Sequence, residues 1–221
     1  MLPLLQGLEQ QVLAGDLWLR KGLSARDRSL VTLAAVIARQ DTAMLAQEIN
    51  RGLDNGLSAP ELAEVVAHLG FYTGWGNAIQ AGNTLEAIFS QRGIPVADLP
   101  GLDVTLLALD LPAEHARVAA VESAVGHAQF PALVDYTTDV LFNHLWLRPA
   151  LAPRDRSLIT FSALVAKGQV GQIGFHLGKA LDNGLQPAEA SEAIAQLAFY
   201  AGWPCAMSAV AVVKQVFSQR G

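Results

Sequence analysis

Cysteine is nearly missing from this chain: Cys205 is the only one in 221 residues. That excludes an internal disulfide framework and sets the expectation of a reducing, cytoplasmic setting. Charge is scarce too, at 16% of residues with a net value of −5. Phosphate binding needs a concentrated basic face, so no nucleic acid partner is expected. Long apolar runs are also lacking, although 52% of residues are hydrophobic and the mean hydropathy is +0.30. "VTLAAVIA" (Val31 to Ala38) is among the longest, well short of the ~18–20 residues of a membrane span. No membrane partner is expected, and the surplus apolar surface is assigned to contacts between subunits. The N-terminal stretch "MLPLLQGLEQQVLAG" has no basic n-region, and Gln6, Glu9, Gln10 and Gln11 interrupt its apolar residues. It reads as an amphipathic helix, with no secretory signal.

Several chemistries lack their residues. His68, His115, His127, His144 and His176 are scattered, with no two four apart on one helix, and there is no cysteine cluster. A zinc site therefore has no local signature, and no metal is expected. The Gly-x-Ser-x-Gly elbow of a serine hydrolase and a phosphate-cradling glycine loop are both missing. "LDNGLQPAEASE" does not supply the oxygen ligands of a twelve-residue calcium loop. A DNA-reading helix would not be "PELAEVVAHLGFY", which carries Glu61 and Glu64 and no Arg or Lys. Glu64 and His68 share a face of that helix, the usual arrangement of a surface contact.

What the chain does contain is itself, twice. Residues 23–93 align with 151–221 without a gap at an offset of 128, with about 29 of 71 positions identical. "LWLR", "RDRSL", "LDNGL", "FYTGW" against "FYAGW", and "FSQRG" all recur. Two copies of this length are a duplicated domain and not a solenoid. The expected organisation is a first repeat over 1–93, a linker over 94–112 and a second repeat over 113–221. Each repeat reads as helices. Leu158, Phe161, Leu164 and Val165 fall on one helix face. Ser24-x-x-Asp27 opens the corresponding helix of the first repeat, and Pro153 that of the second. Asn55-Gly56 and Asn183-Gly184 suit left-handed C-terminal caps, and new helices start from Ser58 to Glu61 and from Gln186 to Glu189. Gly74-Trp75-Gly76 and Gly202-Trp203-Pro204 break the chain before a last helix. No alternating stretch reads as a strand, so the fold class is all-α.

The repeats differ where chemistry would sit. His176, in "GQIGFHLGKALDNG", occupies the position held by Glu48 in "AMLAQEINRGLDNG", and His68 is replaced in the second repeat by Gln196. Arg28 and Arg156 lie in the first turns of apolar helices, as carboxylate anchors or as interface ion-pair residues. Trp18, Trp146, Trp75 and Trp203 recur at equivalent positions, which suits packing.

The order "ARVAAVESAVG", "LWLRPALAPRDRSLITFSALVA", "HLGKALDNGL", "AIAQLAFYAGWPCAMSAV" resembles the carboxymuconolactone decarboxylase family of the AhpD-like superfamily. The likeness covers nearly all of 114–221 and most of 12–93. It implies a cofactor-free all-α protein that assembles as a ring, here a homotrimer with six repeat units. The alkylhydroperoxidase branch carries Cys-x-x-Cys-x-x-x-His on the same helix. Here Gln169 and Gln172 stand at those cysteine positions before His176, and Asp41 and Met44 before Glu48, so a peroxidase is excluded for want of a thiolate. The decarboxylase branch implies His176 as a proton donor, with Gln172 replacing the usual Glu one turn earlier. Removing CO₂ from an unsaturated lactone or acid calls for an apolar pocket, a donor to the developing anion and an acid. The resemblance and the residue chemistry together assign His176 as the acid and Arg156 and Arg28 as carboxylate contacts. Phe175, Tyr200 and Trp203 are assigned as walls and a hydroxyl donor, and His68 and Glu48 as contributions from the first repeat. The alternative is a non-catalytic ring protein that binds a small acid or a partner.

Overall fold

The computed structural model describes residues 2–220, and among these every regular element is helical. Two compact units are present: residues up to Leu99 with those from Arg154 onward, and Pro100–Pro153. The cores of both repeats thus belong to one unit, while the segment between them forms the other.

In the first repeat, α1 (Pro3–Leu8) continues into a π-helical turn (Glu9–Ala14) and a 3-10 turn (Leu17–Leu19). Next come α2 (Ala25–Ala38), α3 (Thr42–Asp54), α4 (Ala59–Thr73) and α5 (Trp75–Gln91). The second unit holds α6 (Leu111–Ala124), α7 (Pro131–Asp135), a π-helical turn (Tyr136–Phe142) and a 3-10 turn (Leu145–Leu147). Within that unit Arg117 pairs with Glu114 at 2.6 Å and lies 4.6 Å above the Phe142 ring. The chain closes with α8 (Pro153–Ala166), α9 (Val170–Asp182), α10 (Pro187–Ala201) and α11 (Trp203–Arg220). The duplication therefore reaches back to α1 and α7, beyond the stretch over which the side chains match.

Local chemistry explains the helix boundaries. The Ser24 hydroxyl accepts from the Asp27 amide at 3.0 Å, and Ser58 with Glu61 closes a full capping box. In the second repeat the Glu189 carboxylate accepts from the Gln186 amide at 2.9 Å, and such caps satisfy amides that the first turn leaves without carbonyls. At the "DNG" turns the positive φ belongs to the glycines, +94° at Gly56 and +99° at Gly184. Asn55 and Asn183 stay at negative φ and have another task. Their amides donate to the hydroxyls of Ser29 (2.9 Å) and Ser157 (2.8 Å), tying the ends of α3 and α9 to the starts of α2 and α8.

Helices α2 and α8 are central: every residue from Asp27 to Ala38 and from Asp155 to Ala166 is buried. A helix buried on all sides has no polar face, so its charged groups must find partners inside. At the N-terminal ends Arg26 bonds Asp155 (2.7 Å) and Glu61, and Arg154 bonds Asp27 (2.9 Å) and Glu189 (3.0 Å). At the other ends Arg39 reaches the Ala166 carbonyl at 3.4 Å. The two helices run side by side in the same direction, and the sequence repeat is a near two-fold exchange of partners around them.

Candidate functional site

The duplicated frame builds two matching networks, each drawn from both repeats. In the first, the Arg156 guanidinium on α8 donates to Glu64 of α4 at 2.7 Å and faces Nδ1 of His68 at 3.4 Å. His68 Nε2 lies 2.7 Å from the Thr160 hydroxyl, whose own proton goes to the Arg156 carbonyl at 2.8 Å. A hydroxyl has one proton, so Thr160 accepts from His68. The ring is therefore the Nε2–H tautomer, with Nδ1 turned as an acceptor toward Arg156. Burial, and then the positive charge of Arg156, hold its pKa well below the usual histidine value. Tyr72 stacks on His68 with ring centres 5.0 Å apart and meets His176 of α9 edge-on at 5.3 Å.

The second network repeats this plan 128 positions away. Arg28 on α2 donates to Gln196 of α10 at 3.1 Å, to Glu192 at 2.9 Å and to the Arg20 carbonyl at 2.8 Å. Gln196 in turn donates to Thr32 at 3.0 Å. A glutamine amide thus fills the same donor and acceptor roles as the neutral His68 ring, which no imidazolium could do. Arg20 grips Glu192 at 2.6 and 3.0 Å, and that hydrogen bonding brings the Glu192 pKa down to about 2. Tyr200, the counterpart of Tyr72, accepts from Trp18 Nε1 at 2.9 Å. Glu48 stands where His176 stands in the other network.

His176 and Glu48 are tuned in opposite senses by one cause. Burial disfavours the charged form of either group. It takes His176 down to about 4, with help from Lys179, and Glu48 up to about 7 against the pull of Arg51. Burial thus favours the uncharged imidazole of His176 and the acid form of Glu48.

The nine residues singled out in the sequence divide accordingly. His176, His68 and Arg156 come together, and Phe175 meets the His176 ring edge-on at 5.1 Å. Arg28, Tyr200 and Glu48 belong to the second network. Gln172 is exposed one turn before His176, and Trp203 is exposed, with its ring contact to Phe199. Arg156 and Arg28 are completely buried, and their terminal nitrogens are engaged by protein groups, so the bidentate grip expected of them has no fork left for a ligand. Glu64 and His68 are no surface pair: both are buried and both serve Arg156. Tyr72, Thr160, Arg51 and Lys179 were not marked out by motif reasoning, and Glu64 only as a surface contact. Comparing the repeats points to Glu64, Tyr72 and Thr160, which are identical to Glu192, Tyr200 and Thr32. Cys205 lies apart, half-buried by a cleft at the far ends of α2 and α8 that Arg39 and Lys167 also line.

Comparison with known proteins agrees with the residue pattern. The model of the carboxymuconolactone decarboxylase family matches residues 3–87 and again 131–215. The chain belongs to this family, with two tandem copies of its domain. Over 80 residues, 36% of the chain, it is 32% identical to a 4-carboxymuconolactone decarboxylase of Acinetobacter baylyi. Over 81 residues, 37% of the chain, it is 28% identical to a nitrosuccinic acid decarboxylase of Metarhizium robertsii. The matched stretches span 60% and 57% of those relatives' own lengths.

Proposed function

We propose that the chain is a cofactor-independent carboxy-lyase that removes CO₂ from a small unsaturated carboxylic acid or lactone at the His176 site. The observation that carries this reading is the meeting of His176 with Tyr72 against the rigid His68–Arg156–Glu64 network. Both relatives named above are decarboxylases of small acids, which supports the class of reaction.

In this reading Lys179, close enough to lower the His176 pKa, attracts the substrate carboxylate. The bound anion offsets the lysine charge and raises the affinity of His176 for a proton, which the ring takes from solvent. When the C–C bond breaks, CO₂ leaves and the electron pair stays on the substrate as a delocalised anion. The imidazolium protonates that carbon and returns to its neutral state. Tyr72 and Phe175 supply aromatic walls that disfavour a solvated carboxylate. His68, a fixed neutral tautomer, positions Arg156 and Tyr72 and takes no part in proton transfer.

The test is a spectrophotometric decarboxylation assay with 4-carboxymuconolactone on the wild type and on His176→Ala. The expected result is turnover that disappears in the variant while its mass in solution is unchanged. No turnover by the wild type on this lactone or on other small unsaturated acids would overturn the reading. Self-association as a homotrimer belongs to the same proposal. The exposed aromatic pairs Phe71–Trp75 and Phe199–Trp203 support it, and a monomer mass by light scattering at micromolar concentration would refute it.

A further inference from the structure

The second network ends in groups whose bonding capacity is not used by the protein. Glu48 is fully buried, yet neither carboxyl oxygen has a hydrogen-bond partner among the described residues. Its nearest charge is Nε of Arg51, one turn along α3 at 3.4 Å. Buried carboxyls are ordinarily bonded on both oxygens, so this one is unusual. The Arg51 side chain is 31% exposed and its guanidinium lies 4.3 Å from the centre of the Trp18 ring. Among the described residues its terminal nitrogens meet no acceptor. The Tyr200 oxygen accepts from Trp18 at 2.9 Å, and its own proton has no protein acceptor there. A guanidinium fork and a phenol proton both seeking acceptors, beside a carboxyl seeking a partner, have one simple complement: an anion with two oxygens.

We propose that Arg51, Glu48, Tyr200 and Trp18 form a second ligand site that takes the carboxylate of a small planar acid. Arg51 supplies the two-pronged contact that matches a carboxylate. Tyr200 donates its hydroxyl proton, and Glu48 in its acid form donates the remaining hydrogen bond. Trp18, held by Tyr200 on one side and by Arg51 on its face, walls a flat unsaturated body. Arg28, Arg20, Glu192 and Gln196 form the floor that holds α10, and through it Tyr200, against α2.

Charge sets the condition for binding. Ionised Glu48 and a bound carboxylate compete for the same Arg51 cation, so the ligand enters with Glu48 protonated. The charged or titratable groups that reach this point are Arg51 on the same helix and Tyr200 on α10, which also senses Glu9 of the N-terminal π-helical turn. Burial leaves Glu48 titrating at about 7, so affinity weakens on the alkaline side of neutrality, toward tenfold for each pH unit. The site shares no side chain with the His176 network, and its existence does not depend on the decarboxylase reading.

Benzoate is a suitable probe, added to the full chain while arginine Nε–H and carboxyl signals are followed by NMR and heats by calorimetry. The expected outcome is a shift of the Arg51 Nε–H signal and a dissociation constant that rises about tenfold from pH 7.5 to 8.5. Arg51→Ala should weaken this binding at least tenfold. Arg51→Lys, which keeps the charge but loses the fork, should weaken it as well, and Lys179→Ala should leave the Arg51 response unchanged. Glu48→Gln should bind with no such dependence on pH. An Arg51 signal that stays fixed at millimolar benzoate, or a Glu48→Gln protein with the wild-type pH profile, would overturn the proposal.

Discussion

His176 and Glu48 occupy one position of a duplicated helix and respond oppositely to the same burial. The consequences for stability differ in sign. The His176 pKa is lower in the folded chain, about 4 against 6.5, so the unfolded chain binds more protons between these values. Its contribution is present above pH 6.5 and is lost as pH falls toward 4. For Glu48 the folded value is higher, about 7 against 4.5. Its acid form is compatible with the fold below pH 4.5, and ionisation becomes a growing cost as pH rises to about 7, levelling off above it. Glu48→Gln removes that cost. We expect the variant to be about 2–3 kcal/mol more stable than the wild type at pH 8, with the gain gone at pH 4.5. Urea unfolding at the two pH values measures it. A second expectation concerns the ring: saturation with a small unsaturated dicarboxylate should move the NMR titration midpoint of His176 upward from about 4, because a bound anion offsets the charge of Lys179. A midpoint that does not move would remove the proton-donor role given to His176.

At the scale of elements, the junctions that matter are α4 with α8 and α10 with α2. Each places a buried arginine of one repeat against a glutamate of the other, with a third group spanning arginine and threonine. The second repeat already uses glutamine for that group, so His68→Gln should fold, unfold within about 1 kcal/mol of the wild type and keep turnover. Loss of turnover with the fold intact would mean that His68 exchanges protons after all. Glu64→Gln leaves the fully buried Arg156 without its counter-charge, and the expected loss is about 3–5 kcal/mol, read by denaturant unfolding. These junctions also mark how far the sequence could be read. The caps at Ser24, Ser58 and Gln186 were legible because their chemistry is complete within four residues. So were the glycine turns and the apolar faces of the helices. The Glu64–His68 pair looked like a surface contact because helical spacing tells which residues share a face and not which helix covers it. Arg156 arrives there from 92 positions away. Asn55 carried a real signal, but its partner, Ser29, lies on another helix. His176 stood out as a histidine where the other repeat has Glu48, whereas its pKa comes from burial that only packing defines.

For the molecule as a whole, the duplication makes two interdependent halves and not two independent domains. Arg28 of the first repeat is completely buried, and its side-chain partners, Glu192 and Gln196, belong to the second. Arg156 of the second repeat takes Glu64 and His68 from the first. Arg26, Asp27, Glu61, Arg154, Asp155 and Glu189 close a further ring of charges between them. Cutting the chain between the repeats, after Leu99, would leave each half with a central helix bared along one side and a buried guanidinium with no carboxylate. An unpartnered buried charge costs about 3–5 kcal/mol, and a whole domain is stable by only about 5–15 kcal/mol. The apolar surface lost from α2 and α8 adds to that deficit. Neither half should therefore fold by itself, while the two mixed in equal amounts should regain the helical signal of the intact chain and elute together. Circular dichroism with size-exclusion chromatography decides this. A half that is stably helical and monomeric alone would mean that its arginine finds another partner, and that the exchange between repeats is not what holds the central helices together.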